Sequence, residues 1–97
     1  MSPVPVTVVL PGALRQFSGG EAHLTVSVDD GASLGDLLDA VALTHPALAR
    51  RMRDEQGELR RFVNVYVDGE DARLSGGIAA RVAATSEVLI LPSVAGG

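Results

Sequence analysis

The 97-residue sequence predicts an α+β domain with a mixed sheet of about five strands wrapped around one main helix. Three observations lead there. Runs rich in β-branched residues recur at both ends of the chain, as in Val6-Thr7-Val8-Val9 and Val63-Asn64-Val65-Tyr66-Val67. One central stretch, Leu34, Leu37, Leu38 and Val41, carries apolar residues at helical spacing. The last run, Val88-Leu89-Ile90-Leu91, is apolar on both parities, which marks a central strand, often a parallel one.

Val6 to Leu10 ends at Pro11-Gly12 and reads as the first strand. A connection punctuated by Leu14 and Phe17 runs on to Gly19-Gly20. His23 to Val28 then alternates strictly, with Leu24, Val26 and Val28 on one face. That is a half-buried strand, and the two strands pair as an antiparallel hairpin. Asp29-Asp30-Gly31 is a turn. Ser33 is placed to cap the helix, with Asp36 three residues on as a weaker relative of the capping-box glutamate. His45-Pro46 interrupts the helix, because proline disfavours helix at the preceding residue and is tolerated at a helix start. A second short helix is expected from Pro46 to about Arg53.

Asp54 to Gly57 is a polar loop, Phe62 to Val67 the next strand, and Asp68-Gly69 its turn. Ala72-Arg73-Leu74 reads as a short strand, broken by Ser75-Gly76-Gly77. Ile78 to Ala83 is expected to form one helical turn. Glu87 to Leu91 is the last strand, stopped by Pro92. The expected core is Leu24, Val26, Leu34, Leu37, Leu38, Val41, Val63, Val65 and Val67. Residues 1–92 form the domain and residues 93–97 a flexible tail. One helix layer covers only one face of such a sheet. One parity of the last strand is therefore either buried by other means or forms an apolar docking patch with Phe62 and Tyr66, drawn from Leu89 and Leu91; the two readings weigh equally.

Composition narrows the function. There is no cysteine, so disulfides, thiolate metal sites and a nucleophilic thiol are excluded. The net charge of −4 argues against nucleic-acid binding and suits docking onto a basic partner patch. All eight basic residues are arginine, so no side-chain amine can accept an isopeptide bond. No signal peptide and no membrane-length apolar run is visible, which makes the cytoplasm the expected location.

The order of elements, together with Arg61-Phe62-Val63-Asn64-Val65-Tyr66-Val67, Glu70-Asp71 through Arg73, Ser75-Gly76-Gly77 and the ending Ile90-Leu91-Pro92-Ser93-Val94-Ala95-Gly96-Gly97, resembles the β-grasp sulfur carriers of the MoaD/ThiS type. Within them it looks most like the carriers that actinobacteria use for cysteine biosynthesis. One departure is Ala84-Thr85-Ser86, where the family commonly has a Gly-Asp type turn. The resemblance implies a mechanism. An adenylating, ubiquitin-activating-like enzyme uses ATP to activate the carboxylate of Gly97, and a sulfur donor converts the acyl-adenylate to a thiocarboxylate. The sulfur then passes to an acceptor enzyme, such as a cysteine synthase or a synthase of a thio-containing natural product. A metalloprotease that releases product from the tail is a further partner of this kind. No cofactor is expected on the chain itself, nor a nucleic-acid or membrane partner.

The chemistry of the tail fits independently. A free carboxylate is a poor acyl donor until adenylation supplies a leaving group. A tail that threads a narrow channel should be thin, and Gly96-Gly97 offers the least bulk and the widest choice of φ/ψ. Val94 and Ala95 are small and uncharged, suited to an extended segment in a groove. Chance would end roughly one chain in eighty of this composition in Gly-Gly. Its position just beyond the last strand makes the signal strong. Gly19-Gly20 and Gly76-Gly77 are internal and read as turns.

Other constellations carry less. His23 and His45 are far apart and lack companions for a metal site. Asp68-Gly69-Glu70-Asp71 lacks calcium-loop spacing, and Ser33 has no base to activate it. Arg50, Arg51, Arg53, Arg60 and Arg61 read first as a solvated face that complements a helix C-terminus, and second as a dock for an acidic partner. Two rival functions stay open: a protein modifier joined to lysines through Gly97, and a plain interaction module whose Gly-Gly is incidental.

Overall fold

The computed structural model describes residues 3–61, 63–82 and 87–92. Strands β1 (Pro3–Val9) and β2 (His23–Asp29) form the expected antiparallel hairpin, from Pro3 opposite Asp29 to Val9 opposite His23. Strand β5 (Glu87–Pro92) runs parallel to β1 and antiparallel to β3 (Val63–Val67). The two-residue β4 (Glu70–Asp71) completes the sheet, whose order is β2-β1-β5-β3-β4. The central place of β5 is the one its double-sided apolar run requires. A last strand inserted between the first and third, with helices on one face, is the β-grasp arrangement.

Helix α1 (Leu34–Thr44) begins with a reciprocal capping box. Ser33 Oγ accepts from the Asp36 amide at 3.1 Å, and Asp36 Oδ2 accepts from the Ser33 amide at 3.1 Å. The Leu34 amide, which has no partner within the helix, donates to the Ala80 carbonyl at 2.7 Å. Helix α2 (Pro46–Met52) follows with proline in its first turn, as expected. Leu34, Leu37, Leu38 and Val41 of α1 and Leu48 and Met52 of α2 are buried against Val6, Val8, Val65, Val88 and Ile90 of the sheet. Val63 is buried as well. Leu24, Val26 and Val67 are only half-buried against this core. The first two belong to β2, at the sheet edge, and Val67 ends β3.

Ala72-Arg73-Leu74 is not a strand. Pairing stops at Asp71, and Ala72–Ser75 is a 3-10 turn. The cause is local: Asp71 Oδ1 accepts from the Arg73 amide at 2.9 Å, an alternative to a ladder bond. Ala72 is buried while Leu74 is 88% exposed, so the alternation a strand needs is also missing. Gly12–Phe17, within the long connection, is another 3-10 turn. The turn expected over Ile78 to Ala83 is shorter, Gly77–Ala79. The chain then extends, and Val82 donates to the Ala32 carbonyl at 2.9 Å. Ala83 and the Ala84-Thr85-Ser86 turn lie outside the described residues.

Candidate functional site

The two parities of β5 separate cleanly. Val88 and Ile90 are fully buried beneath the helices. Leu89 and Leu91 lie on the opposite face; Leu89 is half-buried and Leu91 is 39% exposed. The register carries this face across the sheet. His23 stands opposite Val9, Val9 opposite Leu89, Leu89 opposite Tyr66, and Tyr66 opposite Asp71. The row is apolar in its middle and polar at both ends. One step toward the end of β5, Leu91 stands opposite Asn64. None of Val9, Tyr66, Leu89 and Leu91 belongs to the core on the other face. Full burial of both faces of β5, one of the two sequence readings, does not occur: Leu89 and Leu91 stay outside the core. Val9 was missed, although the paired valines Val8-Val9 carry the same two-sided signal as the last strand.

The patch borders the place where the chain leaves the sheet. Pro92, the last residue of β5, stands opposite Val63, the first of β3. Five residues, 93–97, follow Pro92, and an extended segment of that length spans at most about 17 Å. The candidate tail residues Val94, Ala95, Gly96 and Gly97 lie outside the described residues, as does Phe62. Tyr66, Leu89 and Leu91 are brought together.

The arginines divide into two groups. Arg53 pairs with Asp39 at 2.7 Å, Arg51 lies 4.6 Å over the Phe17 ring, and Arg60 Nε donates to the Arg50 carbonyl at 2.8 Å. These contacts tie the end of α2 to α1, to Phe17 and to Arg60, so Arg51 and Arg53 are more engaged than the solvated face the first reading expects. Arg73 belongs elsewhere. It donates to Asn64 Oδ1 at 3.3 Å and to the Arg60 carbonyl at 2.7 Å, at the edge of the outer face. Among the described residues no group of three or more His, Cys, Asp or Glu could hold a metal. No helix among them is long and apolar enough to cross a membrane.

The pattern of the ThiS family matches residues 8–97. The chain belongs to the ThiS family. Its relatives include the sulfur carrier protein CysO of Mycobacterium tuberculosis, 40% identical over 95% of this chain and 98% of the relative. Its fold matches a chain of the crystal structure of the Amycolatopsis orientalis BexX/CysO complex with a TM-score of 0.84. That match has 41% identity and covers 95% of this chain and 99% of the other. It also matches the crystal structure of SAMP1 from Haloferax volcanii, with a TM-score of 0.79 and 33% identity over 96% of this chain and 99% of the other. This chain shares the β-grasp fold of these relatives.

Proposed function

We propose that this chain is a sulfur carrier that reacts through the carboxylate of Gly97. An activating enzyme adenylates that carboxylate with ATP and releases pyrophosphate. A sulfur donor then displaces AMP, which leaves a thiocarboxylate, and an acceptor enzyme takes the sulfur. The acceptor is a cysteine synthase or a synthase of a thio-containing natural product. In the first case a metalloprotease would free the product from the tail. The chain is a substrate of these enzymes, binds no cofactor of its own and catalyses no step alone. Its place of work in this reading is the cytoplasm.

The observation that carries the reading is the junction at Pro92. In a ThiS-family chain 40% identical to a named sulfur carrier, the central strand ends at Pro92, five residues before Gly97, and carries an apolar outer face. A partner would grip Tyr66, Leu89, Leu91 and Val9 while the tail enters its channel. The similarity to a chain crystallised in the BexX/CysO complex supports engagement of this fold by a partner enzyme.

A second reading has its own support in the similarity to small archaeal modifier protein 1 (SAMP1) of Haloferax volcanii, 40% identical over 80% of this chain, and to small archaeal modifier protein 3 of the same organism, 33% identical over 80% of this chain. In that reading Gly97 is joined to lysines of other proteins. Intact-mass spectrometry of the chain recovered from its native host separates the two. A gain equal to one oxygen replaced by sulfur supports the carrier. Ladders on other proteins support the modifier. If neither is found, the plain interaction module is the reading that remains.

A further inference from the structure

The strand register, the hydrogen bonds of Arg73 and the absence, among the described residues, of a carboxylate partner for its guanidinium point to a cationic margin beside the tail exit. We infer that Arg73 and Arg61 form this margin, and that it takes carboxylates on the rim of the partner protein that accepts the tail. The inference rests on the carrier reading and adds the chemistry of the partner's rim.

Arg73 is anchored at the right place. The Arg60 carbonyl accepts from the Val63 amide at 3.1 Å and from Arg73 Nη2 at 2.7 Å. Arg73 is thereby fixed to the turn that starts β3, and the first residue of β3 faces Pro92. Its other terminal nitrogen donates to Asn64 Oδ1, and Asn64 faces Leu91. The guanidinium thus borders both the apolar patch and the point of exit. Both of its acceptors are neutral, and among the described residues the ion pair is Arg53–Asp39, not one to Arg73. Arg61 is exposed, two residues before Val63, and among the described residues its side chain makes no hydrogen bond or ion pair.

The tail length fixes why this margin matters. Residue 97 cannot lie more than about 17 Å from Pro92, so a partner that reacts there must close over the surface around the exit. Its rim then meets Arg61 and Arg73. A planar guanidinium with free donors matches a carboxylate in bidentate fashion. An apolar centre with a charged rim is also the ordinary anatomy of a protein interface. The net charge of −4 disfavours a polyanion such as nucleic acid as the occupant. The basic partner patch expected from overall charge would have to meet the chain elsewhere than at Arg61 and Arg73.

The test uses the full chain and the adenylating enzyme of the same genome, followed by ATP–pyrophosphate exchange at several salt concentrations. Arg73→Gln keeps a donor but removes the charge, Arg73→Lys keeps the charge, and Arg61→Gln removes a side chain with no contact to lose. The expected result for Arg73→Gln and Arg61→Gln is a KM for the carrier raised at least about threefold, kcat nearly unchanged, and a weaker dependence of KM on salt. Arg73→Lys should stay near wild type. A merely structural Arg73 would lower the melting temperature in both of its variants and leave the salt dependence intact, and that outcome overturns the inference. So does unchanged KM in Arg61→Gln and Arg73→Gln. A fall in KM also overturns it, by showing that the arginines hold the chain's own terminal carboxylate instead. If wild-type chain supports no exchange, the carrier reading itself fails, and the margin with it.

Discussion

Asp68 and Glu87 hold each other at both ends of their backbone. The Asp68 amide donates to the Glu87 carbonyl at 2.9 Å, and Asp68 Oδ1 accepts from the Glu87 amide at 2.9 Å. Asp68 has φ 50° and Gly69 φ 87°, so the β3–β4 turn needs two residues in the left-handed region. One carboxylate thus serves the turn and fixes where the central strand begins. Asp68→Ala removes the acceptor and puts a poorer residue at positive φ, and should cost about 1–3 kcal/mol. Asp68→Asn keeps an acceptor and tolerates the conformation, so it should cost less. Denaturant unfolding of the two variants measures the difference; equal costs would count against the side-chain tie.

Leu38 is 1% exposed, on the face of α1 that meets the sheet. Leu38→Ala should cost about 2–5 kcal/mol through lost burial and the cavity left behind. A thermal melt reads it, and an unchanged melting temperature would contradict the packing described for α1.

The start of α1 gives a smaller and cleaner effect. Ser33→Ala removes one half of the capping box and should destabilise the domain by about 1 kcal/mol. Ser33→Asp should restore most of that loss. Equal stability of all three chains would show that the Leu34–Ala80 backbone bond alone secures this helix end.

On the outer face, Leu91→Arg should leave the melting temperature nearly unchanged, because Leu91 is 39% exposed. Binding to the activating enzyme should weaken by about 1–2 kcal/mol, the cost of losing a central apolar contact. If Leu91→Arg unfolds the domain instead, that face is part of the core and cannot serve as a dock.

The tail carries the sharpest expectation. Deleting Gly96-Gly97, or adding one residue after Gly97, should abolish adenylation and leave stability unchanged. Residues beyond the last strand add few packed contacts, whereas a shift of about 1 Å in a reacting atom can cost on the order of a hundredfold in rate. Gly97→Ala should be milder but still harmful. Pyrophosphate exchange is the measurement. Full activity of the deletion chain would sink the carrier reading and leave the interaction module.

Much of this was legible in the sequence wherever a residue's role depends on near neighbours. Ser33 with Asp36, the stripe from Leu34 to Val41, and the turn at Asp68-Gly69 are all set by spacings of a few residues. The two-sided run from Val88 to Leu91 announced a central strand, and β5 does lie between β1 and β3. The readings that failed needed distant information. Ala72-Arg73-Leu74 has strand-like apolar ends, but the Asp71 side chain diverts the chain into a turn. Val26 does pack against the core as its alternation expects, but it is only half-buried, because its strand lies at the edge. Arg73 gains its place from Arg60 and Asn64, 13 and 9 positions away, and no periodicity reports such a meeting.

Tyr66 is the sole tyrosine of the chain, and there is no tryptophan. It sits in the middle of the outer row, directly opposite Leu89. The protein therefore carries a single native fluorophore at the place where a partner is proposed to bind. Energy transfer from Tyr66 to tryptophans of a docked enzyme would quench its emission, and the difference from a Tyr66→Phe chain would report occupancy of this face. No label needs to be attached, and the signal stays separate from the chemistry at residue 97.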